Sequence, residues 1–339
     1  MKKILRQTAY HSSFLHRHHK KRNKNTLTVV SFHRVLPKDN PEWEGADPEW
    51  TVTTEFFEEC LLFFRKHYSV VGFPEVLENY RGGPSLPDNP LLITFDDGWK
   101  CNLQHAAPLL EKLGFPAILF VATGATGKPI LSWQEALFAL WKSNKLCAQK
   151  TNAIAKLAGI APPGPVVSEA EYHEFLAKLR DRPLDTRNKL NAPLFDWIST
   201  LPGLPYMLNR KELLEWQKRG FHLGTHGINH EPMVDMENSH QELHISKHTL
   251  SQIAGNEQAI RCFSPPHGIY NEDLLETAAK IGYLCACTSR KGLNHTRERS
   301  GFIDLGRINI NQLALMNTRR KLDPSKLASL LFLQPILEQ

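Results

Sequence analysis

No stretch of this 339-residue sequence holds about eighteen consecutive apolar residues, so no membrane-spanning helix is expected. Cysteine is scarce: of the six, none of Cys60, Cys101, Cys147, Cys262, Cys285 and Cys287 sits in a C-x-x-C pair. Their scatter argues against a disulfide framework or a thiolate zinc site and suits reduced thiols in the cytoplasm. There is no internal repeat, and no biased segment beyond one basic tract. The chain begins with basic residues, but no apolar h-region follows, which argues against a cleaved secretion signal. A dominant charge is missing too. The net +6 is modest, and much of it lies in "HRHHKKRNK" (16–24). Residues 1–25 are expected to form a solvated, mobile arm. Peripheral contact with anionic lipid, at the inner membrane surface, is the functional reading kept beside it; nucleic acid is not expected as a partner.

What is present is apolar mass and alternation. Two-fifths of the residues are apolar, enough for a large core. Strands are expected over 27–35, 68–73, 89–95, 116–122, 221–225, 260–264, 283–289 and 303–310. Helical periodicity fills most of the gaps: 53–67, 74–80, 103–114, 209–220, 239–255 and 272–282. Ser239 with Glu242 has capping-box spacing, as do Ser132 with Glu135 and Ser168 with Glu171. Residues 132–200 are helical with no clear strand and are expected to be an insertion. A further helical segment closes the chain over 312–339. Repeated β-α units predict a parallel sheet, either a barrel or an open doubly wound sheet.

Ligand-type residues recur where these strands end, which is where such folds carry their chemistry. His33 follows the first strand. Asp96 and Asp97 follow "LLITF", His226 and His230 follow "FHLGT", and His267 follows "IRCFS". Separate surface turns would not be expected to share that placement, although Asp-Gly alone is a common turn and sixteen histidines make one pair unremarkable. His240, His244 and His248 share a helix face with no strand-end partner and are read as a polar face. Two imidazoles and one carboxylate with open positions form a catalytic metal set suited to zinc, and also to cobalt, manganese or iron. A second carboxylate can then take a proton from water. Asp97 is assigned as ligand and Asp96 as base.

The stretches "TFDDG" (94–98), "GTHGINH" (224–230) and "FSPPHGIYN" (263–271) resemble the NodB-homology polysaccharide deacetylases, carbohydrate esterase family four. "FHRV" (32–35) and "LGRINI" (305–310) resemble the flanking motifs of one branch. The resemblance runs from about residue 27 to 310, with a domain expected over 26–311. It implies a deformed (β/α) barrel, usually of seven strands, that hydrolyses N-acetyl or O-acetyl groups of a glycan with a divalent metal: zinc first, with cobalt, nickel, manganese or iron as alternatives. Carried over by position, it implies Asp96 as general base and Asp97, His226 and His230 as ligands, with an oxyanion-donating amide near His267. The third motif departs from the family's Arg-x-Pro-Tyr or Ala-x-Pro-Tyr. Ser264 cannot orient Asp96, so Arg307 from the last strand is assigned that task. No late Leu-x-x-His is present near 305–310. His33 matches the early histidine of a branch acting on poly-N-acetylglucosamine-like polymers and is assigned as general acid, with His267 as rival. The substrate is then a glycan or a lipid-linked glycan precursor. The altered third motif also motivates a different reading, a catalytically lapsed glycan-binding protein.

Overall fold

A computed structural model describes residues 3–166, 168–234, 238–256, 258–290, 294–296 and 301–333. Seven parallel staves build the sheet: β1 (Thr26–Phe32), β2 (Pro90–Phe95), β3 (Ile118–Val121), β4 (His222–Thr225), β5 (Cys262–Phe263), β6 (Cys285–Thr288) and β7 (Ile303–Gly306). Each pairs with the next, and after β7 the chain continues through Arg307 into Ile308–Asn309, which pairs in parallel with β1. That last pairing closes a mixed α/β barrel. Asn294–His295 adds an antiparallel strand on β1, bringing the main path to eight, and Ser69–Val70 adds a short strand on β2. Among the described residues no helix is long and apolar enough to cross a membrane.

Strand alternation decides what each side of the wall carries. Leu27, Val29, Leu92, Ile118, Phe120, Cys262, Cys285, Cys287, Ile303 and Leu305 form one buried apolar cluster inside the barrel. Val30, Phe32, Ile93, Phe95, Leu119, Val121 and Phe263 join the cluster under the outer helices. Gly224 lets the barrel fill, because a Cβ there would lie 2.6 Å from the Phe120 ring. Continuing the inward set along the strands reaches Thr94 on β2, Asp96 just beyond it, Ser264 beyond β5 and Arg307 beyond β7. The interior is therefore apolar below and polar at the strands' C-terminal ends.

The cysteines are less scattered than their spacing suggested. Cys262, Cys285 and Cys287 meet inside the barrel, with the Cys262 and Cys285 sulfurs 2.7 Å apart. The region 132–200 is helical as expected, with helices at Trp133–Lys142, Ala148–Ala158, Glu169–Arg180, Leu184–Lys189 and Asn191–Trp197. Its Leu137, Leu140 and Phe175 share a cluster with Leu36, Trp99 and Ala122, which follow barrel strands. It thus packs on the rim formed by the C-terminal ends of the strands. The helix expected over 103–114 is already helical at Lys100 and Cys101, widens to a π turn at Asn102–Ala106 and is α from Ala107, so Pro108 lies inside a helical run beside that local widening.

The expected mobile arm is corrected. Residues 3–22 form two helices, α1 (Lys3–His11) and α2 (Phe14–Arg22), packed on the C-terminal helix Pro324–Leu333. The six residues after Leu333 lie outside the described ones. Leu15 and His19 on α2 and Asn23 at its C-cap, four apart, form one buried stripe. His19 stacks on Phe332 with ring centroids 4.1 Å apart. Its Nε2 donates to the His67 carbonyl (3.1 Å), and its Nδ1 accepts from Asn23 (2.9 Å). Arg6 pairs with Asp323 at 3.2 Å. Lys20 and Lys21 face outward, so the charge that suggested a loose arm decorates a docked hairpin. The buried stripe was missed because two of its three members are polar.

Leu15→Ala is therefore expected to cost about 2–5 kcal/mol in urea denaturation, where a free arm would cost nothing. Burial lowers His19 and His67 to about 4, below the ordinary value of about 6.5. Both are neutral in the fold. Their contribution is full above about 6.5 and is lost as pH falls toward 4, so the hairpin should undock in that window.

Candidate active site

Asp96 leaves β2 on the inward side, and Asp97 sits at the turn itself. Asp97 has φ 76° and Gly98 φ 92°, both left-handed. The turn, rather than strand alternation, lets two adjacent carboxylates face one cavity. His230 (φ 56°) and His267 (φ 58°) are also left-handed, so three of the seven non-glycine residues of this kind among those described lie in the candidate site. Such backbone is disfavoured and persists only where its surroundings hold it.

Those surroundings are hydrogen bonds. Arg307 clasps Asp96 with two contacts, Nη1 to Oδ1 at 2.7 Å and Nη2 to Oδ2 at 2.9 Å. It also donates to the Ser264 hydroxyl at 2.7 Å and to Thr94 Oγ1 at 3.2 Å, with its guanidinium over Phe120. Ser264 therefore partners the arginine rather than substituting for it. Burial alone would raise the Asp96 carboxyl, but Arg307 first, then His226 and His33, draw it down to about 2. It is ionised at neutral pH.

Asp97 differs. Its Oδ2 accepts from Trp99 Nε1 at 2.7 Å, while its Oδ1 is buried with no hydrogen-bond partner. The Nε2 atoms of His226 and His230 each lie 3.4 Å from that Oδ1. His226 Nδ1 donates to the Ser264 carbonyl at 2.7 Å, which leaves Nε2 with its lone pair toward Asp97. Burial lowers both histidines, His230 strongly, so they are neutral. Burial first, and Asp96 beside it, push Asp97 up to about 6. The His226 Nε2 lone pair, the unpartnered Asp97 Oδ1 and His230 Nε2 thus converge on one buried point. Donor atoms about 2.0–2.2 Å from a tetrahedral ion sit roughly 3.3–3.6 Å apart, so these three fit a divalent cation.

His33 follows β1, with Nε2 3.8 Å from Asp96 Oδ2 and its ring against Trp50. His267 is turned the other way, its Nε2 donating to the His230 carbonyl at 3.0 Å. All seven residues singled out from the sequence line one cavity of about 440 Å³, together with Trp50 and, from the insertion, Glu135, Phe138, Tyr172 and Arg180.

Two supporting residues were missed. Trp99 was visible in "TFDDGW" but had no assigned task. Glu242 was taken for a capping-box member, yet the helix Ser239–Ala254 has no side-chain cap at its start. Glu242 Oε1 instead accepts from the Ile228 and Asn229 amides, at 2.7 and 3.2 Å, and so holds the loop between the two histidines. Local spacing is identical for the two uses; only the loop's position distinguishes them.

The family model described as polysaccharide deacetylase matches residues 83–286, more than half of the chain. The chain belongs to the polysaccharide deacetylase family. Its members are deacetylases, hydrolases that include enzymes acting on carbon–nitrogen bonds other than peptide bonds. A 96-residue segment of this deacetylase-family chain is 30% identical to the poly-beta-1,6-N-acetyl-D-glucosamine N-deacetylase of Escherichia coli (strain K12). The segment is 28% of this chain and spans only 13% of that relative. Similar solved structures include IcaB from Ammonifex degensii and the Streptococcus pyogenes deacetylase PplD in complex with acetate. Each is 16% identical with a TM-score of 0.57, and each match covers 91% of this chain; it covers 97% of the former and 99% of the latter. At that identity the likeness shows the barrel fold.

Removing the clasp leaves Asp96 charged and buried alone. Arg307→Ala should cost about 3–5 kcal/mol by chemical denaturation. With Arg307 in place, the folded pKa of Asp96, about 2, is below the ordinary value of about 3.9. The stability it confers is full above the ordinary value and lost as pH falls toward 2; that acid dependence should shrink in the variant.

Proposed function

We propose that the chain removes acetyl groups, N-acetyl foremost, from a glycan, using a divalent ion held by Asp97, His226 and His230. The unpartnered, buried Asp97 Oδ1 facing two imidazole nitrogens, beside a carboxylate already clamped by arginine, carries this reading. Two nitrogens and one oxygen suit zinc first, then cobalt, nickel, manganese or iron. When bound there, such an ion would supply polarisation of the acetyl carbonyl and a lowered pKa for water. Asp96, kept ionised by Arg307, takes the proton from the attacking water. His33 donates to the departing nitrogen, giving acetate and a free amine. His267 is the weaker donor because its Nε2 proton is committed to the His230 carbonyl and burial lowers it to about 4. The amide near His267 is assigned to the oxyanion. Burial lowers His33 while Asp97 and Asp96 pull it back, so loss of its proton sets the alkaline limit of activity.

The domain responsible is proposed to span 26–311, with the insertion walling the cavity. The E. coli relative's printed activity supports an N-acetylglucosamine polymer as substrate, with a lipid-linked precursor as a narrower option. Peripheral membrane contact through exposed Arg17, Lys20 and Lys21 belongs to the same reading; salt-insensitive binding to anionic vesicles would count against it.

Metal-stripped protein resupplied with zinc, cobalt or nickel should release acetate from poly-N-acetylglucosamine fragments or chitin oligomers. Asp96→Asn should lose about 10²–10⁴-fold in rate. No release with the site loaded would overturn the deacetylase reading. Metal affinity by chelator competition should hold above about pH 6 and fall about tenfold per unit below it, as Asp97 takes a proton.

A further inference from the structure

Glu231 directly follows the proposed ligand His230, and its residue is 2% exposed. Its Oε1 accepts from Trp133 Nε1 at 3.0 Å, and its Oε2 lies 3.3 Å from Arg187 Nη1. Arg187 also donates to the Arg180 carbonyl at 3.2 Å. Trp133 opens the first helix of the insertion, Arg180 ends its third, and Arg187 lies on its fourth. One buried carboxylate therefore ties distant parts of the insertion to the ligand loop. Glu242 fixes the same loop through the Ile228 and Asn229 amides, while Glu231 fixes its far end. Neither Trp133 nor Arg187 lines the cavity, but Glu135, Phe138 and Tyr172 of the same insertion do.

A carboxylate this buried is costly to leave unpaired. If the insertion shifts, either Glu231 follows it or loses its partners. Because Glu231 is bonded in sequence to a residue held at φ 56°, following would carry the His230 ring with it. We propose that Glu231 is a positioning residue that couples the insertion to His230, so that filling the insertion's wall of the cavity and binding metal strengthen each other. The coupling is reciprocal by linkage. The glycan half of this inference rests on the deacetylase reading; the metal half does not.

The test is metal affinity, with zinc by chelator competition and cobalt by its visible spectrum, in Arg187→Ala, Glu231→Gln and the double variant. Arg187 touches no proposed ligand, yet Arg187→Ala should weaken metal binding about 10–100-fold, as loss of outer support for a ligand does. Glu231→Gln should do likewise, and the double variant should be no worse than the poorer single. Trp133→Phe removes one hydrogen bond with less disturbance and serves if Arg187→Ala does not fold; it should shift the cobalt spectrum. Unchanged zinc affinity and cobalt spectrum in the folded variants would overturn the coupling. In an Asp96→Asn background, an N-acetylglucosamine oligomer should tighten metal binding, and Glu231→Gln should abolish that gain; a gain that survives Glu231→Gln overturns the glycan half. Weakened metal binding in Arg187→Ala, with no acetate release by the wild type, would leave the coupling standing and remove the deacetylase reading.

Discussion

The ion pair between Arg307 and Asp96 is the constraint around which the upper barrel is arranged. Asp96 is buried and the Arg307 side chain is only 8% exposed, and each is tolerable there only because the other is present. Their pairing requires β2 and β7 to present inward residues at the same height, although β1 stands between them in the sheet. It also requires small inward polar groups, Thr94 and Ser264, to receive the other two Nη protons. Below that layer the interior can be wholly apolar. Above it, the clamped carboxylate leaves Asp97 as the one of the two with an unpartnered oxygen. The different surroundings of the adjacent aspartates thus follow from which one the arginine can reach.

The second constraint is strain. Asp97, His230 and His267 each adopt left-handed backbone where an ordinary residue would relax. Trp99 holds the first by its side chain. The other two hold each other, His267 donating to the His230 carbonyl, with Glu242 beneath the loop. This is preorganisation in a literal sense: the donor atoms are brought together by contacts the protein makes with itself, before any ligand arrives.

The additions to the barrel serve different ends of it. The helical insertion shares its apolar cluster with residues that follow barrel strands and contributes Glu135, Phe138 and Tyr172 to the cavity. The N-terminal hairpin and the C-terminal helix pack together instead, near the end of the helix Thr54–His67 that leads away from the cavity. One addition faces the cavity; the other covers apolar surface such as Phe63 and Tyr68.

The parallel α/β sheet and the positions of its strand-end residues were legible in the sequence, because alternation and ligand-type residues at strand ends are local signals that repeat; closure into a barrel was implied only by the family resemblance. The same signals could not show the N-terminal hairpin, whose buried face is carried by His19 and Asn23, polar residues that become interior only when Phe332 and the His67 carbonyl arrive from afar. They could not show that Glu242 supports a loop rather than a helix start, or that three separated cysteines meet. By itself the sequence determined the fold class and the residue types available for chemistry, since both depend on near neighbours along the chain. Only the tertiary structure decided which carboxylate Arg307 clamps, which is left to face the two imidazoles, and how Glu231 meets the insertion, because those outcomes depend on closing the barrel and bringing together residues far apart in the chain.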